Sequence, residues 1–258
     1  MGIVNVTPDS FSDGGRYLDP TAAVDHGLKL AAEGAALLDV GGESTRPGAE
    51  PVEPREQLRR VLPVVEALAA QAGIPVSIDT SSAVVAREAL AAGAELINDV
   101  TALEADPEML PVVVESGCGV CLMHMRGTPR TMQRDPQYDD VLADVARYLR
   151  QRAAVLERAA IDPRRVALDP GIGFGKTLEH NLELIRHADR FHALDRPLLY
   201  GFSRKRFIGE ILGDAERDRD AASVGVALAL AARGVQVLRM HRVGPVADAL
   251  KLWRACGG

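Results

Sequence analysis

Short apolar runs recur along the chain, and amphipathic stretches separate them. The runs fall at residues 2–6, 36–40, 75–78, 95–98, 120–124, 166–168, 197–200 and 236–240. Each is too short for a helix and close to continuously apolar, the pattern of a strand buried on both faces. Between them apolar positions return at helical spacing, as in Ala22, Val24, Gly27, Leu28, Leu30 and Ala31, or Leu58, Val61, Leu62, Val65 and Leu68. Such alternation predicts a parallel sheet covered by helices. Eight units in 258 residues predict one α/β domain over residues 1–258, a (β/α)8 barrel of the TIM type. A doubly wound open sheet is the structural alternative. No repeat, low-complexity tract or linker divides the chain. Two connections are long and rich in Gly, Pro, Ser and Asp, at 7–20 and 41–54. They read as mobile covers over an active site.

All eight runs end in polar residues. The first closes with Asn5, the second with Asp39 and the Gly41-Gly42-Glu43-Ser44-Thr45-Arg46-Pro47-Gly48 loop, the third with Asp79-Thr80 and the fourth with Asn98-Asp99. Met123-His124-Met125-Arg126-Gly127 follows the fifth, Asp169 the sixth, Ser203-Arg204-Lys205 the seventh, and Arg239-Met240-His241-Arg242 the eighth. Helix capping accounts for part of this, with Thr80 or Ser81 and Asp106 the best candidates. Capping does not explain Lys205, Arg239, His241 or the methionines at 123 and 125. In α/β proteins the C-terminal ends of the strands form the rim that binds ligands.

The densest of these ends is Asp169-Pro170-Gly171-Ile172-Gly173-Phe174-Gly175-Lys176. A nucleotide P-loop would need glycine where Pro170 stands, and a dinucleotide fingerprint needs a different glycine spacing. Asp169 by itself is also compatible with a turn before proline. In this loop it can accept bonds from a ring N–H and an amino group, the glycines let backbone approach a flat ligand, and Lys176 adds positive charge.

Composition narrows the class. With 47% hydrophobic residues the chain can bury a full core, and a net charge of −6 argues against a general nucleic-acid binder. No apolar run approaches a membrane span of about 18 residues. Met1-Gly2-Ile3-Val4 lacks the basic region of a secretory signal, so a cytoplasmic protein is expected. Cys118 and Cys121 form a C-x-x-C without a second pair, inside an apolar run, and read as buried cysteines. Lys is scarce beside Arg, four against 26, and Asn occurs three times. Lys176 and Lys205 nonetheless fall in glycine-containing loops after strands, and Asn5 and Asn98 at strand ends.

The mixture points to a ligand. Asp79, Asn98, Asp169 and Lys205 can together read the donor and acceptor edge of a planar nitrogen heterocycle, with Met123 and Phe174 against its faces. Asn5, Arg239 and His241 supply donors for an anion such as diphosphate. No H-E-x-x-H or histidine cluster marks a fixed catalytic metal, and no Ser-His-Asp arrangement is evident.

Over essentially its whole length the sequence resembles the dihydropteroate synthases, pterin-binding enzymes of the folate pathway. The resemblance rests on Met1-Gly2-Ile3-Val4-Asn5-Val6-Thr7-Pro8-Asp9-Ser10-Phe11-Ser12-Asp13-Gly14-Gly15 and on the Gly41–48 run above. Ser77-Ile78-Asp79-Thr80, Ile97-Asn98-Asp99-Val100, Met123-His124-Met125, the Asp169 loop and Ser203-Arg204-Lys205 follow in family order. It implies a (β/α)8 barrel that condenses 6-hydroxymethyl-7,8-dihydropterin diphosphate with p-aminobenzoate, assisted by Mg²⁺. By similarity Asp79, Asn98, Met123, Asp169, Phe174 and Lys205 hold the pterin, and Asn5, Arg239 and His241 the diphosphate, with Asn5 also on the metal. Phe11, Asp13, Thr45, Arg46, Pro47, Ser203 and Arg204 shape the p-aminobenzoate pocket. Asp13 joins Asp79, Asp169 and Lys205 as the expected catalytic groups. A homodimer through outer helices is implied as well, with no nucleic acid and no membrane partner.

Two departures from the family pattern stand out. Arg242 occupies the place after His241 where aspartate is usual, and the first strand begins at once, where relatives have a preceding segment over the barrel bottom. The first reads as a tolerated change, since Arg239 and His241 remain to favour an anion; the second means either that the start is internal or that the barrel leaves that end open. Together they are the only support for a second reading, a pterin-binding paralogue without turnover. A pterin-dependent methyltransferase of the same barrel is a third, against which the Ser44-Thr45-Arg46-Pro47 loop speaks.

Overall fold

The structure, a computed structural model, describes residues 1–7, 20–46 and 48–258. Among the described residues eight parallel strands form: β1 (Gly2–Asn5), β2 (Leu38–Gly41), β3 (Val76–Asp79), β4 (Leu96–Asp99), β5 (Gly119–Met123), β6 (Val166–Asp169), β7 (Leu199–Gly201) and β8 (Val237–Arg239). β1 to β6 pair in chain order, and β7 pairs with β8. Parallel bridges Leu168–Leu198 and Gly2–Met240 join the two sets. Backbone bonds from Leu168 N to Pro197 O (2.9 Å) and from Ile3 N to Met240 O (3.0 Å) make those seams. β8 therefore meets β1, and the sheet is a closed barrel rather than an open one. The strand positions match those read from the sequence; their ends differ by one or two residues, because the last apolar residue of a run need not be the last one in the ladder.

The helices α1 (Pro20–Ala32), α2 (Pro54–Gln71), α3 (Ala83–Ala91), α4 (Met109–Ser116), α5 (Val141–Arg158), α6 (Leu178–Arg186), α7 (Arg206–Leu212), α8 (Asp220–Ala231) and α9 (Val243–Ala255) pack on the outside. Val61, Val65 and Leu68 of α2, and Val145, Leu149 and Leu156 of α5, are buried against the strands. Burying each such side chain contributes about 1.5–3 kcal/mol. None of the described helices is long and apolar enough to cross a membrane.

Local signals set where helices begin. Asp140 accepts from Leu142 N and Ala143 N at the start of α5, and Thr177 forms a reciprocal cap with His180 at α6. Asp106 does cap, but its Oδ2 accepts from Ala83 N (2.8 Å) at the start of α3, twenty-three residues earlier. Thr80 Oγ1 instead closes a turn by accepting from Ser82 N (3.2 Å). Cys118 and Cys121 are free and buried, as an apolar strand implies.

Candidate active site

The strand ends place a polar cluster at the rim and in the upper barrel. Arg239, the last residue of β8, crosses the barrel towards β2 and β3. Its Nε donates to Asp39 Oδ2 and its Nη2 to Asp79 Oδ2, each at 2.6 Å. Asn98 Nδ2 donates to the same Asp39 oxygen at 3.0 Å. Arg239 is thus engaged by two carboxylates, which its assignment as a diphosphate ligand did not anticipate. Asp39 was read only as a strand end. It is wholly buried, and its place one step inside the rim, on the barrel-facing side of β2, gave it no separate signal in the sequence.

Burial governs the charges here. It pushes Asp79 up to about 7, with Arg239 opposing and Asp39 adding. It draws Lys205 down to about 7, with Asp169 opposing. Asp169 is raised by burial as well, and its Oδ1 accepts from Gly171 N at 2.7 Å. His241 is drawn down to about 3 by burial and then by Arg204 and Arg239, so it is neutral at pH 7. Ser203 Oγ already accepts from His241 N (3.3 Å) and lies 3.0 Å from Nδ1. The hydroxyl is therefore free to donate to Nδ1, which leaves Nε2–H as the ring's donor.

The Asp169 loop is pressed against the residues after β5. Gly171 adopts φ +73°, and a Cβ there would lie 1.9 Å from His124 O, so no other residue fits. Lys176 does not offer its charge to a ligand. Its buried Nζ lies 3.0 Å from His124 Nδ1 and donates to Phe174 O (3.0 Å) and His124 O (3.4 Å). Lys205 donates to Ile172 O and lies over the Phe174 ring, 4.4 Å from its centroid. Met123 and Phe174 pack with Met132 in one buried cluster, with Val100 and Met125 beside it. Gln133 Nε2 donates to Gly173 O at 2.6 Å, and Asn181 Oδ1 accepts from Gly173 N at 2.7 Å. Met132, Gln133 and Asn181 were not expected; nothing in their spacing distinguishes them from loop and helix positions.

A cavity of about 870 Å³ opens at this rim. Asn5, Thr45, Arg46, Asp79, Phe174, Ser203, Arg204, Lys205, Arg239 and His241 line it, so most of the expected residues converge on one space. Asn98, Met123 and Asp169 lie buried beneath that wall. Phe11, Asp13 and Pro47 lie outside the described residues. Arg204, at φ +60°, turns its guanidinium to Asp220 in a two-point ion pair of 2.6 and 2.8 Å. Arg242 points the same way, 3.8 Å from Asp220, and so does not crowd His241 as a free charge. Glu43 anchors its own loop by accepting from Val52 N (2.9 Å) and Gln57 Nε2 (3.3 Å).

Comparison with known proteins agrees with this geometry. The model of the family described as pterin binding enzyme matches residues 1–241. A dihydropteroate synthase of Neisseria meningitidis serogroup C is 49% identical, covering 100% of this chain and 92% of its own. The Yersinia pestis dihydropteroate synthase solved with a sulfonamide superposes with TM-score 0.94 at 44% identity, covering 99% and 92%. That of Xanthomonas albilineans with 4-aminobenzoic acid gives TM-score 0.92 at 51% identity, covering 99% and 91%. Matched by that family over residues 1–241 and about half identical to full-length relatives, the chain belongs to the pterin-binding enzyme family.

Proposed function

We infer that this chain is a dihydropteroate synthase, condensing 6-hydroxymethyl-7,8-dihydropterin diphosphate with p-aminobenzoate to give 7,8-dihydropteroate and diphosphate. The observation that carries the reading is the meeting of Asp79 and Lys205 with Arg239 and His241 in one cavity, in a chain half identical to an enzyme solved with 4-aminobenzoic acid.

The pterin edge meets Asp79, Asn98, Asp169 and Lys205, and its faces meet Met123 and Phe174. The bond between the pterin methylene carbon and the diphosphate oxygen breaks first, and the electron pair leaves with diphosphate. Arg239 and the Nε2–H of His241 receive the growing negative charge. The dihydropterin delocalises the positive charge left on carbon, and the Asp79 and Asp169 carboxylates compensate it. The arylamine lone pair then forms the C–N bond, and the cationic nitrogen passes its proton to the departed diphosphate or to water. Thr45, Arg46, Ser203 and Arg204 shape the amine's approach, with Phe11, Asp13 and Pro47 assigned there by resemblance. Closing the long loops excludes water that would otherwise add to the carbon.

Among the described residues no group of three or more His, Cys, Asp or Glu is built to hold a metal. Asn5, a neutral oxygen donor on the cavity wall, fits Mg²⁺, which keeps its waters and takes further oxygens from phosphates. When bound, Mg²⁺ supplies positive charge against the departing diphosphate. A second copy of the chain, packed through outer helices, is the partner that the resemblance implies.

Purified protein given both substrates and Mg²⁺ tests the reading. Dihydropteroate and diphosphate appear together if it holds. Tight pterin binding without product would instead favour a binding paralogue.

A further inference from the structure

Resting on that reading, we propose that Asp39 is a positioning residue of this site, one that fixes which face of the Asn98 amide and which nitrogen of Arg239 meet the substrate. Asp39 sits on β2 beside Ser77 of β3, in register. Both side chains are fully buried, and neither lines the cavity. With no exposed surface and its Oδ2 taken by two donors, Asp39 acts through its neighbours.

One oxygen does that work. Asp39 Oδ2 accepts from Arg239 Nε at 2.6 Å and from Asn98 Nδ2 at 3.0 Å. A carboxylate facing a guanidinium only accepts hydrogen bonds, so the Asn98 amide must turn its NH2 towards Asp39. Its carbonyl oxygen is then what Asn98 presents to a ligand. Asn98 accordingly reads a donor on the heterocycle, an N–H or an amino group, and rejects an acceptor there. On Arg239, Nε goes to Asp39 and Nη2 to Asp79, which leaves Nη1 for the diphosphate. A single oxygen thus couples recognition of the ring to the placing of the cation at the leaving group.

A second observation separates this from a plain structural ion pair. Asp39 Oδ1 and Ser77 Oγ are buried without a hydrogen-bond partner among the described residues. Burying a carboxylate with one oxygen bare is costly, and an apolar residue would serve the core better. The carboxylate is retained for what Oδ2 arranges.

The chain contains three asparagines, Asn5, Asn98 and Asn181, so selective ¹⁵N labelling of their side chains gives a readout independent of turnover. With the Asn98 signals assigned through Asn98→Ala, its NH2 protons exchange slowly with solvent, both free and with dihydropterin diphosphate bound. Fast exchange in either state overturns the proposal. In parallel, folded Asp39→Asn binds dihydropterin diphosphate about tenfold more weakly, while its KM for p-aminobenzoate stays within about twofold of wild type. Unchanged pterin affinity overturns the proposal, and if the variant does not fold the labelling result decides. Wild-type turnover is measured alongside. A wild type that makes no dihydropteroate overturns the functional reading itself, whereas an active wild type beside an Asp39→Asn of unaltered affinity overturns only the role of Asp39.

Discussion

Lys176 Nζ and His124 Nδ1 lie 3.0 Å apart, in a pair that ties the loop after β6 to the residues after β5. Nζ spends its other donors on the carbonyls of His124 and Phe174, next to the two side chains expected on the pterin faces. Burial draws Lys176 well below the usual lysine range and His124 down to about 2. His124 is therefore neutral and accepts at Nδ1.

Lys176→Met removes the donors and leaves buried carbonyls bare, a loss of about 1–3 kcal/mol. The expected outcome is a lower melting temperature and a pterin dissociation constant raised several-fold, read by fluorescence titration. A variant with unaltered pterin affinity would show that the clasp does not set the spacing of Met123 and Phe174.

Asp169→Asn keeps an oxygen for Gly171 N and so keeps the loop, but it removes the negative charge beneath the pterin. Turnover should fall by about two orders of magnitude, a loss of about 2.7 kcal/mol in the transition state. The circular dichroism spectrum should not change. Turnover at the wild-type level would refute a charge role for Asp169.

Acid should weaken the ligand-free fold through His241. Its ring is held at about 3 in the folded protein, below the free-histidine value of about 6.5. Between those values the unfolded chain binds the extra proton and the folded one does not, so stability is full above about pH 6.5 and falls towards pH 3. Replacing the ring in His241→Gln should flatten the decline of melting temperature with falling pH. The same slope in both proteins would place the titrating group elsewhere.

Arg242 lies at the edge of the site, with a side chain 56% exposed and a contact of 3.8 Å to Asp220. Exposed pairs of this kind are worth about 0–1 kcal/mol. Steady-state kinetics of Arg242→Ala should therefore stay within about threefold of wild type for both substrates. A change beyond tenfold would make the residue part of the catalytic surface.

Periodicity exposed the barrel because each strand is buried on both faces and each helix on one, so chain position alone ordered the rim. That is why Asp79, Lys205, Arg239 and His241 were found at strand ends before any contact was known. The partners of those groups were harder to see. Asp39 meets Arg239 two hundred residues away, and Asp220 holds Arg204 from the start of α8; neither spacing leaves a local pattern. Lys176 was misjudged for a related reason. A lysine in a glycine loop has the same sequence whether it reaches a ligand or the neighbouring loop, and only the packing of Gly171 on His124 O decides.

On this reading the rim releases diphosphate before the amine bonds to carbon. Dihydropterin diphosphate carrying ¹⁸O in the bridge between carbon and phosphorus tests it most directly, incubated with the protein and Mg²⁺ and without p-aminobenzoate. Reversible departure moves the label into the non-bridging oxygens of recovered substrate, faster with wild type than with Asp169→Asn. Label that stays in the bridge, in protein that turns over normally once p-aminobenzoate is added, would contradict departure before attack.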